Sequence, residues 1–198
     1  MDASLYRAVN RLAQRTGWLH PAATAFAKYG IALFAGALLV AWWQARQREG
    51  TTSVAAVVCA VAAVFAALGA AQLVGHAVGR ARPYDAIASV RVLVPRTRDF
   101  SFPSDHATVA GAVAAGLWLV DRRLGRLVAG LAVVMALSRV YVGAHYPGDV
   151  VAGLALGAAA ALAVNRLAAR RVARPLARLA RSPLGPLIAA GERPGTSA

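Results

Sequence analysis

Five apolar stretches, each bordered by a short polar cluster, constrain this chain more than any other feature of its sequence. Pro21–Gln44 is interrupted only by Lys28, and Val54–Gly75 by one strongly polar residue, Gln72. Either is long enough to cross a bilayer, since about 20 helical residues span roughly 30 Å of hydrocarbon. Ala107–Val120, Leu127–Leu137 and Val150–Val164 are shorter. They approach spanning length only when extended at one end by polar residues: Ser104 to His106, Ser138 to Gly143, and Asp149. Helices of that kind end at a polar, partly hydrated site rather than in lipid. The fold expected is all-α, a polytopic membrane helix bundle with about five transmembrane helices and an N-terminal surface helix.

Composition agrees with a lipid environment. Hydrophobic residues make up 59% of the chain and charged residues 15%, against about 25% charge in soluble domains. The net charge of +14 is almost wholly arginine, with Lys28 the only lysine. Such charge suits nucleic acid, an anionic membrane surface or a phosphorylated ligand. Nucleic acid is excluded as a partner because apolar runs separate the arginines instead of one basic face collecting them. The single cysteine, Cys59, has apolar surroundings and reads as a packing residue. Residues 1–20 hold no apolar core of a signal peptide, so insertion is expected to rely on the first membrane helix.

Three regions follow: a surface segment over 1–20, a membrane domain over 21–169 and a basic tail over 170–198. In the first, Leu5, Val9 and Leu12 fall at helical spacing with Arg7, Arg11 and Arg15 four apart, as in a helix lying on a membrane surface. Gly153 and Gly157 form a GxxxG pair that lets two membrane helices approach closely, although glycine is common throughout this chain. The loop Arg46–Gly50, the loop Asp121–Arg126 and the chain after Asn165 share one membrane side and hold twelve of the 22 basic residues. The positive-inside rule then puts the tail in the cytoplasm and the opposite loops outside.

Three polar clusters fall on that opposite side: Arg80-Ala81-Arg82-Pro83, Phe102-Pro103-Ser104-Asp105-His106, and Ser138-Arg139 through His145 to Asp149. Ionisable residues at span ends are costly unless they serve a site. Arginine presents a planar fork of N–H donors that matches phosphate oxygens. Histidine is a nucleophile or proton donor near neutral pH, and a carboxylate can orient its second nitrogen. Together they read as a phosphoryl-transfer site. Arg80 fits either a phosphate contact or an interface anchor; His76, His20, Trp42 and Trp43 read as structural or boundary residues.

Arg82-Pro83, then Pro103-Ser104-x-His106, then Ser138-Arg139-x5-His145-x3-Asp149, in that order, resemble the PAP2 (phosphatidic acid phosphatase type 2) superfamily pattern K-x6-R-P, P-S-G-H, S-R-x5-H-x3-D. Two positions depart from it. The lysine of the first motif falls on Gly75, which leaves its phosphate contact to Arg80 or another residue, and the glycine of the second is Asp105. The Pro-Ser-Asp-His form, with Ala144-His145-Tyr146-Pro147, resembles the bacitracin-resistance type of undecaprenyl-diphosphate phosphatase over roughly residues 3–170. The resemblance implies that His145 attacks the terminal phosphorus, with Asp149 hydrogen-bonded to its other nitrogen. It implies that Arg82, Arg139, the Ser104 hydroxyl and the Asp105 backbone N–H hold the phosphate, and that His106 protonates the leaving oxygen. It further implies no metal and no cofactor, a polyprenyl diphosphate as substrate, membrane lipids as surroundings, and a bacterial plasma membrane with the site on the extracytoplasmic side. Rival readings are a phosphatase of another lipid phosphate (phosphatidic acid or a decaprenyl phosphosugar), a vanadium haloperoxidase, and an inactive membrane scaffold or transporter.

Overall fold

A computed structural model describes residues 1–48 and 51–189. Glu49 and Gly50 of the first loop, and Arg193, which the count of basic residues above includes, lie outside the described residues. Every regular element described is helical: α1 (Asp2–Arg15), α2 (His20–Tyr29), α3 (Ile31–Ala45), α4 (Thr52–Val78), the four-residue α5 (Pro83–Ala86), α6 (Asp105–Val120), α7 (Arg122–Tyr141) and α8 (Pro147–Leu179), with 3-10 turns at Gly17–Leu19 and Gly185–Leu187. By length and hydropathy, α4, α7 and α8 can each cross a membrane. The first apolar stretch, expected to be one helix, is instead α2 and α3 bent by 52° at Gly30, and the pair counts as a fourth candidate span when taken as one. A side chain at Gly30 would meet the Phe26 carbonyl and the end of Met135, so glycine lets the broken helix close onto α7.

The third stretch, α6, has only 16 residues, too short to count as a span by length, and is the centre of the bundle. Ala107, Thr108, Ala110, Gly111, Ala112, Val113, Ala114, Gly116 and Leu117 are all buried, and a helix apolar all round belongs in a core. Small residues bring its neighbours close. A Cβ at Gly157 would fall on the Thr108 carbonyl, and one at Gly153 on the Ser104 carbonyl. The GxxxG pair is thus the α6–α8 crossing. Large apolar side chains such as Leu33, Phe65, Leu127 and Val151 face outward, as they should where the solvent is lipid. The chain is a multi-pass membrane protein.

α1 departs from its expected role in one respect. Leu5 and Leu12 are exposed, as a membrane-surface helix requires, while Tyr6, Asn10 and Ala13 form a separate buried side against the protein. Tyr6 donates to the Gly143 carbonyl, and Asn10 exchanges two hydrogen bonds with the backbone of Arg91. Gly143 has φ +83°, and a side chain there would strike the Arg91 carbonyl. The α5–α6 loop is thereby held across the end of the bundle that carries the motifs. At the other end, the expected solvated tail is helical through Leu179. It then folds back so that Trp42 and Arg46 donate to the carbonyls of Leu187 and Pro186, with Ile188 buried.

Candidate active site

Backbone contacts join the three motifs before any side chain is considered. The Ser104 amide donates to the Asp149 carbonyl, tying the start of α6 to the first turn of α8. The Ser101 amide donates to the Arg80 carbonyl, tying the same segment to the first motif. Between them lies a cavity of about 390 Å³ whose wall includes Arg82, Asp105, His106, Arg139 and His145. A larger open groove beside Gln14, Arg91 and Arg96 holds none of the motif residues.

His145 is buried in the loop between α7 and α8. Its Nδ1 lies 2.8 Å from the Ser101 carbonyl oxygen, so Nδ1 carries the proton and donates. Nε2 is then the lone-pair nitrogen, and it accepts from Arg82 Nη1 at 3.2 Å. The imidazole is held in one tautomer with a basic nitrogen at the cavity. Burial pushes its pKa below the ordinary histidine value; Asp149 works against this, and the charges of Arg82 and Arg139 reinforce it.

The expected hydrogen bond between Asp149 and His145 is not made. Asp149 Oδ2 stands 3.8 Å from Nδ1, because that oxygen already accepts from the Ser101 hydroxyl at 2.5 Å and the Tyr146 amide at 2.9 Å. Asp149 therefore acts on the histidine through Ser101 and through the field of its charge. Ser101 supplies both the acceptor for Nδ1 and a donor for Asp149.

Arg80 is also placed differently from the phosphate contact expected of it. Its guanidinium spans Asp149 Oδ1 at 2.7 Å and Asp2 Oδ2 at 2.6 Å, and lies 3.9 Å from the centre of the Tyr146 ring. Asp2 also accepts from the Gly148 amide. Arg80 thus neutralises the buried Asp149 and links it to α1, on the far side of that carboxylate from His145.

Arg82 meets the cavity with its orientation fixed. Nε and Nη2 donate to Asp99, and Nη1 to the Ala144 carbonyl as well as to His145. Partial burial opposes ionisation of Asp99, but hydrogen bonds from Thr97 and Arg82 and the arginine's charge hold its carboxyl below the usual range. Arg139 donates from Nη1 to the Ala27 carbonyl at the end of α2, while its buried Nε has no partner among the described residues. Ser104, at the N-cap of α6, is the second buried donor without a partner. Its hydroxyl does not cap the helix, so the first α6 amides stay free, and free amides at a helix start favour an anion. Asp105 accepts from Gln72. Asp149 and Arg80 stand behind the cavity wall rather than in it, and Ser104 sits between two lining residues, Pro103 and Asp105.

Sequence reasoning missed three participants: Ser101, Asp99 and Lys28, the last of which lines the cavity. Among the described residues no three His, Cys, Asp or Glu side chains assemble as a metal site.

A helical membrane bundle with arginines, histidines and free donors gathered at one end defines a phosphate-handling membrane enzyme. The PAP2 superfamily pattern matches residues 56–173; the chain belongs to that superfamily, and it is a PAP2 lipid phosphatase. It is 29% identical over 161 residues to undecaprenyl-diphosphatase BcrC of Bacillus subtilis, covering 78% of this chain and 77% of that one. It is 43% identical over 98 residues to decaprenylphosphoryl-5-phosphoribose phosphatase of Mycobacterium tuberculosis, covering 49% and 52%. The fold matches the crystal structure of Aquifex aeolicus LpxE with a TM-score of 0.61 at 21% identity, over 83% of this chain and 94% of that one.

Proposed function

We propose that this protein removes the terminal phosphate of undecaprenyl diphosphate, giving undecaprenyl phosphate and inorganic phosphate through a phosphohistidine at His145. The observation that carries the phosphoryl-transfer reading is that two of the three buried side-chain donors without partners among the described residues, Ser104 Oγ and Arg139 Nε, fall at this cavity, the third being Arg46 Nε at the opposite end of the bundle. An unsatisfied buried donor costs about 1–3 kcal/mol, and a phosphate oxygen relieves that cost. The diphosphate substrate rests on the Pro-Ser-Asp-His form of the second motif and on the likeness to the Bacillus subtilis enzyme.

In this mechanism His145 Nε2 gives its lone pair to the terminal phosphorus as the bond to the bridging oxygen breaks. Its Nδ1 proton stays on the ring, donated to the Ser101 carbonyl oxygen, which offsets part of the positive charge formed there. Arg82, Arg139, the Ser104 hydroxyl and the Asp105 amide hold the equatorial oxygens; charge stabilisation of this kind is the main protein contribution to phosphoryl transfer. His106 protonates the leaving oxygen, then takes a proton from the water that attacks the phosphohistidine and releases phosphate. The site belongs on the outer face of a bacterial plasma membrane, with the prenyl tail left in lipid. Reporter fusions after Arg170 should read cytoplasmic and fusions within Val92–Asp99 external; the reverse would place the substrate in the cytoplasmic leaflet.

A second reading, a phosphatase of a decaprenyl phosphosugar, is favoured by the 43% identity to the Mycobacterium tuberculosis enzyme. Phosphate release by the detergent-purified chain from a panel of prenyl diphosphates, prenyl phosphosugars and phosphatidic acid, with excess EDTA, decides between the two. The proposal expects the diphosphates to turn over fastest, activity to survive the chelator, and vanadate to inhibit. Preference for a phosphosugar, or loss of activity to EDTA with rescue by magnesium, would overturn it.

A further inference from the structure

Lys28 is the one charge inside the first apolar stretch and the only lysine of the chain. It stands in the last turn of α2, just ahead of the break at Gly30. A cation in an apolar span is costly unless it faces a polar site, and Lys28 does face one: it lines the same cavity as Arg82, His106, Arg139 and His145. Its position is tied to the motifs, because Arg139 holds the carbonyl of the preceding residue, Ala27, at 3.0 Å.

Two of the other cations near the site are committed, and Arg139, which has no ion pair among the described residues, is left for the transferred phosphoryl group. Arg80 is paired with Asp2 and Asp149, and Arg82 with Asp99. Lys28 forms no ion pair among the described residues, and its recorded neighbour is the Tyr29 ring at 5.0 Å. The position that holds lysine in the first-motif pattern cannot easily regain one. A Cβ at Gly75 would already stand 3.1 Å from the Phe102 carbonyl oxygen, so the motif-bearing backbone would have to give by a few tenths of an ångström.

Resting on the diphosphatase reading above, we infer that Lys28 is the binding residue for the second phosphate, the one that stays on the lipid. Arg82, Arg139 and the start of α6 suffice for the phosphoryl group that is transferred. A diphosphate brings a further anionic group, and cleavage turns that group into the departing lipid monophosphate. An ammonium beside it neutralises charge that grows as the bridging bond breaks, and such an interaction lowers the barrier. A lipid monophosphate has no group at this position, so Lys28 discriminates diphosphates from monophosphates.

The test uses the full chain in detergent with farnesyl diphosphate and farnesyl monophosphate, comparing wild type with Lys28→Ala, Lys28→Gln and Lys28→Arg. Loss of a charged hydrogen bond predicts that Ala and Gln lower kcat/KM on the diphosphate about 10- to 100-fold. Monophosphate kcat/KM should stay near wild type, which also serves as the folding control, and Arg should restore most of the diphosphate rate. Equal losses on both substrates, or none on either, overturn the role of Lys28 while leaving the diphosphatase reading intact. A wild-type chain that cleaves the monophosphate but not the diphosphate overturns both. An effect seen only when anionic lipid is added shows Lys28 anchoring to bilayer headgroups, and also overturns the inference.

Discussion

The Nδ1 atom of His145 donates to the backbone carbonyl of Ser101 at 2.8 Å, while the carboxylate of Asp149 stands 3.8 Å away. The imidazole proposed as nucleophile is thus oriented by main chain, and the carboxylate orients that main chain by accepting from the Ser101 hydroxyl. A carbonyl cannot be deleted by mutation, but the hydroxyl that steadies it can. Hydrogen bonds to charged groups are worth about 1.5–3 kcal/mol, so Ser101→Ala should lower kcat by roughly 10- to 100-fold. KM should change little, because Ser101 does not line the cavity. Steady-state kinetics on a lipid diphosphate checks this; a pure KM effect would contradict it.

Burial and the neighbouring arginines keep the His145 imidazole below its ordinary pKa. The nucleophile must be neutral, so activity fails only when the ring gains a proton. Because its folded pKa is lowered, that loss comes at lower pH than for a free histidine, whose value is near 6.5. The acid limb of kcat/KM, which reports free enzyme, should therefore fall below pH ~6.5. The second ionisation of a phosphate monoester near 6 lies on the same side. An acid limb at or above pH ~7 would contradict a buried neutral nucleophile.

The α6–α8 crossing should be the least tolerant part of the bundle. At Gly157 a Cβ meets the Thr108 carbonyl and the Ala112 amide, both backbone, whereas at Gly69 nothing lies within 4 Å. Overpacking typically costs about 1–3 kcal/mol, and backbone neighbours cannot turn aside. Gly157→Val should lower the Tm in detergent by several degrees and reduce activity, since α6 and α8 both carry motif residues. Gly69→Ala should leave the Tm unchanged or slightly higher. Equal tolerance at the two positions would contradict this packing.

Elements whose signal lies in composition and order were legible in the sequence. The apolar stretches appear as α2 with α3, α4, α6, α7 and α8, and Arg82, Asp105, His106, Arg139 and His145 meet at one cavity. Contacts that depend on tertiary geometry were not legible. Asp99 grips Arg82 from a loop 17 residues away, and no spacing rule marks such a pair. Ser101 acts partly through its carbonyl, a group every residue has, so its type gives no clue. Arg80 looked like a spare phosphate ligand because its partner Asp2 is 78 residues distant. Lys28 did stand out as the only break in an apolar run, but nothing local connected it to the motifs. The close of the tail at Ile188 depends on a groove that exists only once α3 has packed.

The division of labour between the two histidines is the centre of the account. In the proposed mechanism His145→Ala removes the nitrogen that bonds to phosphorus, so activity should vanish on every substrate. His106 is the proposed acid for the leaving oxygen, help typically worth about 10²–10⁴-fold, and a p-nitrophenolate leaving group needs little of it. The direct measurement is the burst of p-nitrophenol from an activated phosphate ester beside single-turnover cleavage of a lipid diphosphate, for both alanine variants. The account predicts no burst for His145→Ala, and for His106→Ala a nearly normal burst with a large loss on the lipid diphosphate. Equal loss of the burst in both variants would contradict it.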